Sequence, residues 1–180
     1  MIETNKLRIE QEMEKVADGN IFDFLKAAVE KFPDYFWEAP ASNGKYHPPD
    51  ERVKGGLVLH VRRLCALVDI MVRFHGLNLW ERDVLIAACI LHDSFARGVP
   101  PQTSNFSVAM HPLFPRQEFP FNGFADRFIT RNIYDEIMEC VESHMGPFSP
   151  SPLLQSKKKL PMLFQLIDHI GSRENVIVTL

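Results

Sequence analysis

Six side chains able to bind a metal or move a proton stand in apolar surroundings. His60 lies on a helical stripe with Leu57, Leu64 and Leu67, and the pair His92–Asp93 ends the hydrophobic run Val84–Leu91. His144 continues the stripe Ile133, Ile137, Val141, Asp168 follows Phe164 by one turn, and His111 sits in a loop between these elements. Burying ionisable groups beside leucines costs roughly several kcal/mol unless they are paired or metal-bound. A single histidine on an apolar stripe is more often a hydrogen-bonded core residue. Several on different inward-facing helices are best explained by convergence. Imidazoles and carboxylates together suit Mn, Fe, Co, Ni or Zn, and no cysteine is placed for a thiolate site.

The elements that must bring these residues together are helices. Glu3–Ala17 reads as a polar helix and Ile21–Phe32 as an amphipathic one, ended by Pro33. Pro40–Gly56, with three prolines and three glycines, is a long connection near the length at which loops become functional. Leu57–His75 is strongly amphipathic and stops at Gly76. Asn78 and Glu81 form a capping-box pattern opening Leu79–Asp93, whose middle is apolar all round and belongs at the centre of the fold. Gly98–Pro120 reads as loop with one or two short helices, followed by helices around Phe121–Thr130 and over Ile133–Met145. Pro147–Pro152 is a turn, and Pro161 suits the first turn of a last helix reaching about Arg173. The fold class is all-α, one globular unit, with residues 1–53 as N-terminal helices and a connecting loop packed on a domain spanning 54–180.

Composition narrows the partners. The 180 residues are 46 % hydrophobic and 24 % charged, the balance of a soluble globular protein large enough for one core. A net charge of −3 gives no global attraction to nucleic acid or anionic membrane, so phosphate recognition must be local. Met1–Lys15 is too polar for a signal peptide, and no apolar run approaches the ~20 residues that span a bilayer. Cys65, Cys89 and Cys140 each lie in an apolar run and read as buried free thiols, which places the protein in the cytoplasm.

The order of the six residues resembles the HD superfamily of metal-dependent phosphohydrolases. Lys54-Gly55-Gly56-Leu57-Val58-Leu59-His60 is similar to that family's Gly-Gly-Leu-x-x-His helix opening. Ala87-Ala88-Cys89-Ile90-Leu91-His92-Asp93 is similar to its hydrophobic run into His-Asp, and Gln165-Leu166-Ile167-Asp168 to its closing aspartate helix. The resemblance runs from about Lys54 to Arg173 and leaves the first fifty residues unexplained. It implies a helical bundle around a metal site held by His60, His92, Asp93 and Asp168. His111 and His144 fall where members with two metals carry further histidines, and there the aspartate matching Asp93 bridges the ions. Ser143-His144-Met145-Gly146 resembles the Ser-His-His-Gly of bacterial 3′–5′ exoribonucleases in the superfamily. Those enzymes also carry an OB domain for which this chain has no room.

What the resemblance implies is hydrolysis of phosphoester bonds in nucleotides or short oligonucleotides by a metal-activated water, with one or two divalent ions and Asp93 at the catalytic centre. Long nucleic acid and membrane are not expected partners. The family's His-Asp-x-x-Lys or His-Asp-x-x-Glu is not matched, because Ala96 holds the fourth position. Arg97 either supplies the missing cation from one place along or is a solvated arginine. Lys157 and Lys158, before the Asp168 helix, are further candidates for substrate phosphate, with Lys159, Arg116 and Arg131 behind them. Phe106, Phe114, Phe119 and Phe121 surround His111 and either stack on a base or fill the core. His47, His75 and His169 have no partner pattern and read as structural or exposed. Two other classes share the ligand order: an HD-fold di-iron oxygenase using O2, and a non-catalytic metal- or nucleotide-binding module.

Overall fold

The computed structural model describes the chain except residues 43, 45, 103–106, 177 and 179. Among the described residues there are seven α-helices and no strand: α1 (Ile2–Met13), α2 (Gly19–Val29), α3 (Gly56–His75), α4 (Leu79–Leu91), α5 (Phe114–Glu118), α6 (Arg131–Ser143) and α7 (Lys159–Gly171). Short 3-10 turns fill several of the connections. No described helix is long and apolar enough to cross a membrane.

Helix α4 is the axis of the bundle. All eight residues of Val84–Leu91 are fully buried, as an all-round apolar helix requires. Its start is fixed by a complete capping box, in which Asn78 Oδ1 accepts from Glu81 N–H and Glu81 accepts from Asn78 N–H. Helices α3, α6 and α7 pack around α4, and α1 and α2 cover it from the N-terminal side. Ile9, Phe24, Val61, Leu85, Ile137 and Phe164 share one core. Gly171 marks the closest approach of α7 to α3, since a Cβ there would lie 2.4 Å from Leu64 Cδ2. The three cysteines are buried and free.

Two expected helices come out shorter. α1 ends at Met13 rather than near Ala17, because the next residues give their backbone groups to α4. Arg82 donates to the Lys15 carbonyl, and Asp83 Oδ2 accepts from the N–H groups of Ala17 and Asp18. The helix expected around Phe121–Thr130 is instead a run of turns with one 3-10 turn at Ala125–Arg127. Gly123 at φ 83° breaks it, and its N–H is held by Asp126 Oδ1.

The Gly55-Gly56 pair has a specific task. Gly55 (φ 83°) turns the chain into α3, and a Cβ on Gly56 would lie 1.9 Å from the backbone oxygen of Glu51. The long connection therefore folds back onto the start of α3, tied by Leu57 N–H to the Ala39 carbonyl and Ala41 N–H to the Glu51 carbonyl. Gly56→Ala should destabilise the protein by about 2–3 kcal/mol through overpacking against backbone. Gly76→Ala, strained only by its φ of 57° with nothing near its Cβ, should cost about 1 kcal/mol. Urea unfolding of the two variants checks this, and equal losses would show that Gly56 is not a contact constraint.

Candidate metal centre

The six residues meet at one end of the bundle. His92 caps the C-terminus of α4 and His144 that of α6, while His60 lies in the second turn of α3 and Asp168 near the end of α7. His111 opens a 3-10 turn facing α6. His60, His92, His111 and His144 are each 5 % exposed or less.

Three of the four rings are anchored through a hydrogen bond at Nδ1. His92 Nδ1 bonds the Cys89 carbonyl at 2.9 Å, and His111 and His144 bond those of Val108 and Val141, both at 2.7 Å. All three acceptors lie three residues upstream, two of them in a last helical turn whose carbonyls lack helical partners. His60 is inside a helix, where carbonyls are already used. Its Nδ1 instead faces Glu51 Oε2 at 3.3 Å. With Nδ1 bonded to a carbonyl, the Nε2 atoms of His92, His111 and His144 point inward, the orientation of a metal-binding imidazole, whereas buried His60 Nδ1 makes no hydrogen bond and meets Glu51 only as a charge contact.

The inward atoms fall into two sets that share Asp93. His92 Nε2 is 3.4 Å from Asp93 Oδ2 and 3.9 Å from Asp168 Oδ1, and His60 Nε2 is 3.1 Å from that same Asp168 oxygen. On the other side, Asp93 Oδ1 lies 3.0 Å from His111 Nε2 and 3.8 Å from His144 Nε2, with the two histidine nitrogens 3.1 Å apart. Ligand atoms of His60, His92 and Asp93, and separately of Asp93, His111 and His144, lie close enough to hold an ion. The fully buried Nε2 of His92 has no hydrogen-bond partner. A buried nitrogen left unpaired beside two carboxylates is a donor set that could hold a cation.

The electrostatics also favour a cation. Burial works against ionised Asp93 and Asp168, yet His92 and His111 hold the first, and the His60 hydrogen bond with the neighbouring histidines the second, well below the usual carboxylate range. His60, despite burial, is pushed up to about 10 by Asp168 and Glu51. Burial, reinforced by the neighbouring His111 and His92 rings, pulls His144 down to about 4.

Comparison with protein-family models, curated proteins and solved structures finds no match. The centre therefore stands on its own geometry.

Other candidate residues lie apart from the cluster. Arg97 does not line the cavity above the cluster. Its backbone N–H donates to the Tyr35 hydroxyl and its guanidinium lies over the Tyr35 ring, 5.3 Å from the centroid. Lys157 and Lys158 are also outside the lining: both are exposed, and the Lys158 ammonium pairs with Glu139. Arg116 is held by Glu142 and Asp135, Lys159 by Glu81, and Arg131 lies over Phe121. Phe119 is core, in tilted contact with Phe95 and Phe124, and Phe114 and Phe121 pack against that core. Phe106 lies outside the described residues.

Glu51 and His47 were not legible as site residues. Glu51 is fully buried, and its carboxylate takes bonds from His47 Nδ1 at 2.8 Å and Arg63 Nη1 at 2.7 Å while facing His60. Arg63 is held in turn by Asp50. Burial opposes the Glu51 charge, but the His47 bond, the contact with His60 and the Arg63 bond hold its carboxyl at about 2. The signal available was the unusual length of the connection 40–56. This network also spans residue 53, so the centre draws on both proposed segments.

Glu51→Ala should cost about 3 kcal/mol, because it leaves Arg63 and His60 buried without their shared carboxylate. Denaturant unfolding of chelated protein measures it, and a loss under about 1 kcal/mol would remove Glu51 from this role. Tyr35 gives the pH prediction. Burial raises its hydroxyl to about 12, against an unfolded value of 10.0. Because the folded value is raised by burial, the stability of the neutral hydroxyl, which donates to Ser94 O, is full below pH 10 and lost as pH rises through about 12, while the bond accepted from Arg97 N–H favours the ionised form. Tyr35→Phe should therefore lose about 1 kcal/mol at neutral pH, with the gap to wild type closing across that alkaline window. A gap independent of pH would contradict the assignment.

Proposed function

We propose that the protein is a metal-dependent phosphohydrolase acting on nucleotides or short oligonucleotides. The observation that carries this reading is the shared carboxylate: each oxygen of Asp93 faces a separate set of inward Nε2 atoms. His60, His92 and Asp168 would hold one ion, His111 and His144 the other, and Asp93 both. When bound, a pair of divalent transition ions supplies Lewis acidity, activating water as a nucleophile and offsetting charge that grows on the phosphoryl oxygens.

The chain's own contribution is preorganisation. Nδ1 anchors fix the rings of His92, His111 and His144, and Glu51 and Asp168 flank His60, before anything binds, so little reorientation accompanies the reaction. Gly146, at φ 50°, lets Gln165 pack where a Cβ would lie 1.8 Å from its amide nitrogen, and this holds the turn after His144 against α7. Above the cluster lies an open cavity of about 480 Å3, reached by His60, Asp93, His111, His144 and Asp168. That volume suits a small ligand. Neither the lysine run nor Arg97 extends the cavity into a basic track, which favours short substrates over long strands, where many phosphate contacts dominate binding.

Reconstitution with Mn, Fe, Co, Ni or Zn in separate preparations should give up to two ions per chain and release of phosphate or nucleotide from phosphoesters, with weak dependence on salt. Asp93→Ala should lower turnover by at least about 10³-fold in a protein that keeps its helical content, and His111→Ala should lose chiefly one ion. Elemental analysis and turnover assays decide this. Failure to retain any metal would overturn the centre, whereas oxygen-dependent turnover with a mixed-valent iron signal would replace hydrolysis by oxygenase chemistry.

A further inference from the structure

One wall of the cavity has no part in the metal centre. It is built from Tyr46 on the long connection, Phe148 after α6, and His169 and Arg173 at the end of α7. Tyr46 and Phe148 are each 69 % exposed, although most phenylalanines of this chain are at least partly buried in or against its core. Phe148 lies parallel to His169 with an interplanar angle of 3° and ring centroids 6.4 Å apart. Arg173 Nη2 reaches both ring nitrogens of His169, at 3.0 and 2.8 Å, and its guanidinium lies 5.9 Å from the Tyr46 centroid. The wall is thus continuous from one exposed ring to the other, with a cation between them.

Among the described lining residues, Arg173 is the arginine that faces this cavity. Arg62, Arg63, Arg82 and Arg116 are each paired with carboxylates, and even the adjacent Glu174 pairs with Arg52 rather than with Arg173. Among the described residues no carboxylate meets the Arg173 guanidinium. Nη2 rests on His169, which leaves the remaining donors of the Arg173 guanidinium for an anionic ligand in the cavity. Exposed rings beside it offer flat apolar faces, and stacking on such faces is how nucleobases are held without sequence preference.

We propose that Tyr46, His169, Arg173 and Phe148 form a nucleotide-recognition wall, in which Arg173 bonds a phosphate oxygen and Tyr46 and Phe148 receive the base. The proposal rests on the phosphohydrolase reading only for the place of the scissile phosphate, at the histidine cluster. His169 is a positioning residue, holding the guanidinium against the ring of Tyr46 and stacking on Phe148.

Calorimetric titration of the full chain with its metals chelated reads binding without turnover. The probes are adenosine 5′-monophosphate, ribose 5-phosphate and adenosine. The nucleotide should bind about tenfold more tightly than ribose 5-phosphate. The double variant Tyr46→Ala/Phe148→Ala, at exposed positions that leave the core intact, should reduce that advantage to less than about threefold. Arg173→Gln should weaken both phosphates and leave adenosine unchanged. Equal binding of the nucleotide and ribose 5-phosphate, or an undiminished advantage in the double variant, would overturn the wall. A base advantage in a protein that hydrolyses no phosphoester with any metal would leave the wall standing and remove the phosphohydrolase reading. Hydrolysis without a base advantage would do the reverse.

Discussion

Four imidazoles buried at one end of an apolar bundle must have their orientation set by protein groups, because little water reaches them to do it. Each ring has two nitrogens, and a bond at one decides what the other offers. In this fold three bond a backbone carbonyl through Nδ1 and the fourth, His60, turns Nδ1 to the Glu51 carboxylate as a charge contact, which leaves the Nε2 atoms toward Asp93 and Asp168. The cluster exists because four separate anchors agree.

Three of those anchors are local. A histidine that ends a helix can reach a carbonyl one turn back which the helix no longer uses, so His92 and His144 are oriented by the same termination that ends α4 and α6. The fourth is tertiary. His60 needs a side-chain acceptor, and Glu51 reaches it only because Gly56 lets the long connection lie against the start of α3. A buried Glu51 is tolerable in turn because His47 and Arg63 share its charge, with Asp50 balancing Arg63.

The same arrangement separates structural cations from available ones. Most arginines and several lysines near the centre in sequence are tied to carboxylates or laid over aromatic rings elsewhere. Arg97 shows this well: beside the His92–Asp93 pair in sequence, it is drawn to Tyr35 and away from the cavity. Arg173, inconspicuous in sequence just past the end of α7, is, among the described residues, the arginine that lines the cavity, and no described carboxylate pairs with it.

The sequence by itself determined the helices and the buried set. Apolar periodicity placed α3, α4 and α6 within a few residues, and the capping box marked the start of α4, because these signals are local and each helix must bury one face. Ionisable residues on those buried faces identified His60, His92, Asp93, His144 and Asp168, since an apolar stripe leaves few other places for them to point. The expected helix at Phe121–Thr130 failed on a local signal, Gly123 at positive φ, that its apolar content masked. What only the tertiary structure decided is which charges meet: Glu51 with His60 across a loop, Lys158 with Glu139, and Arg173 with the cavity instead of Arg97. Side-chain pairing over such separations depends on how the chain crosses itself. A long flexible arginine or lysine carries no periodicity that would reveal its partner in advance.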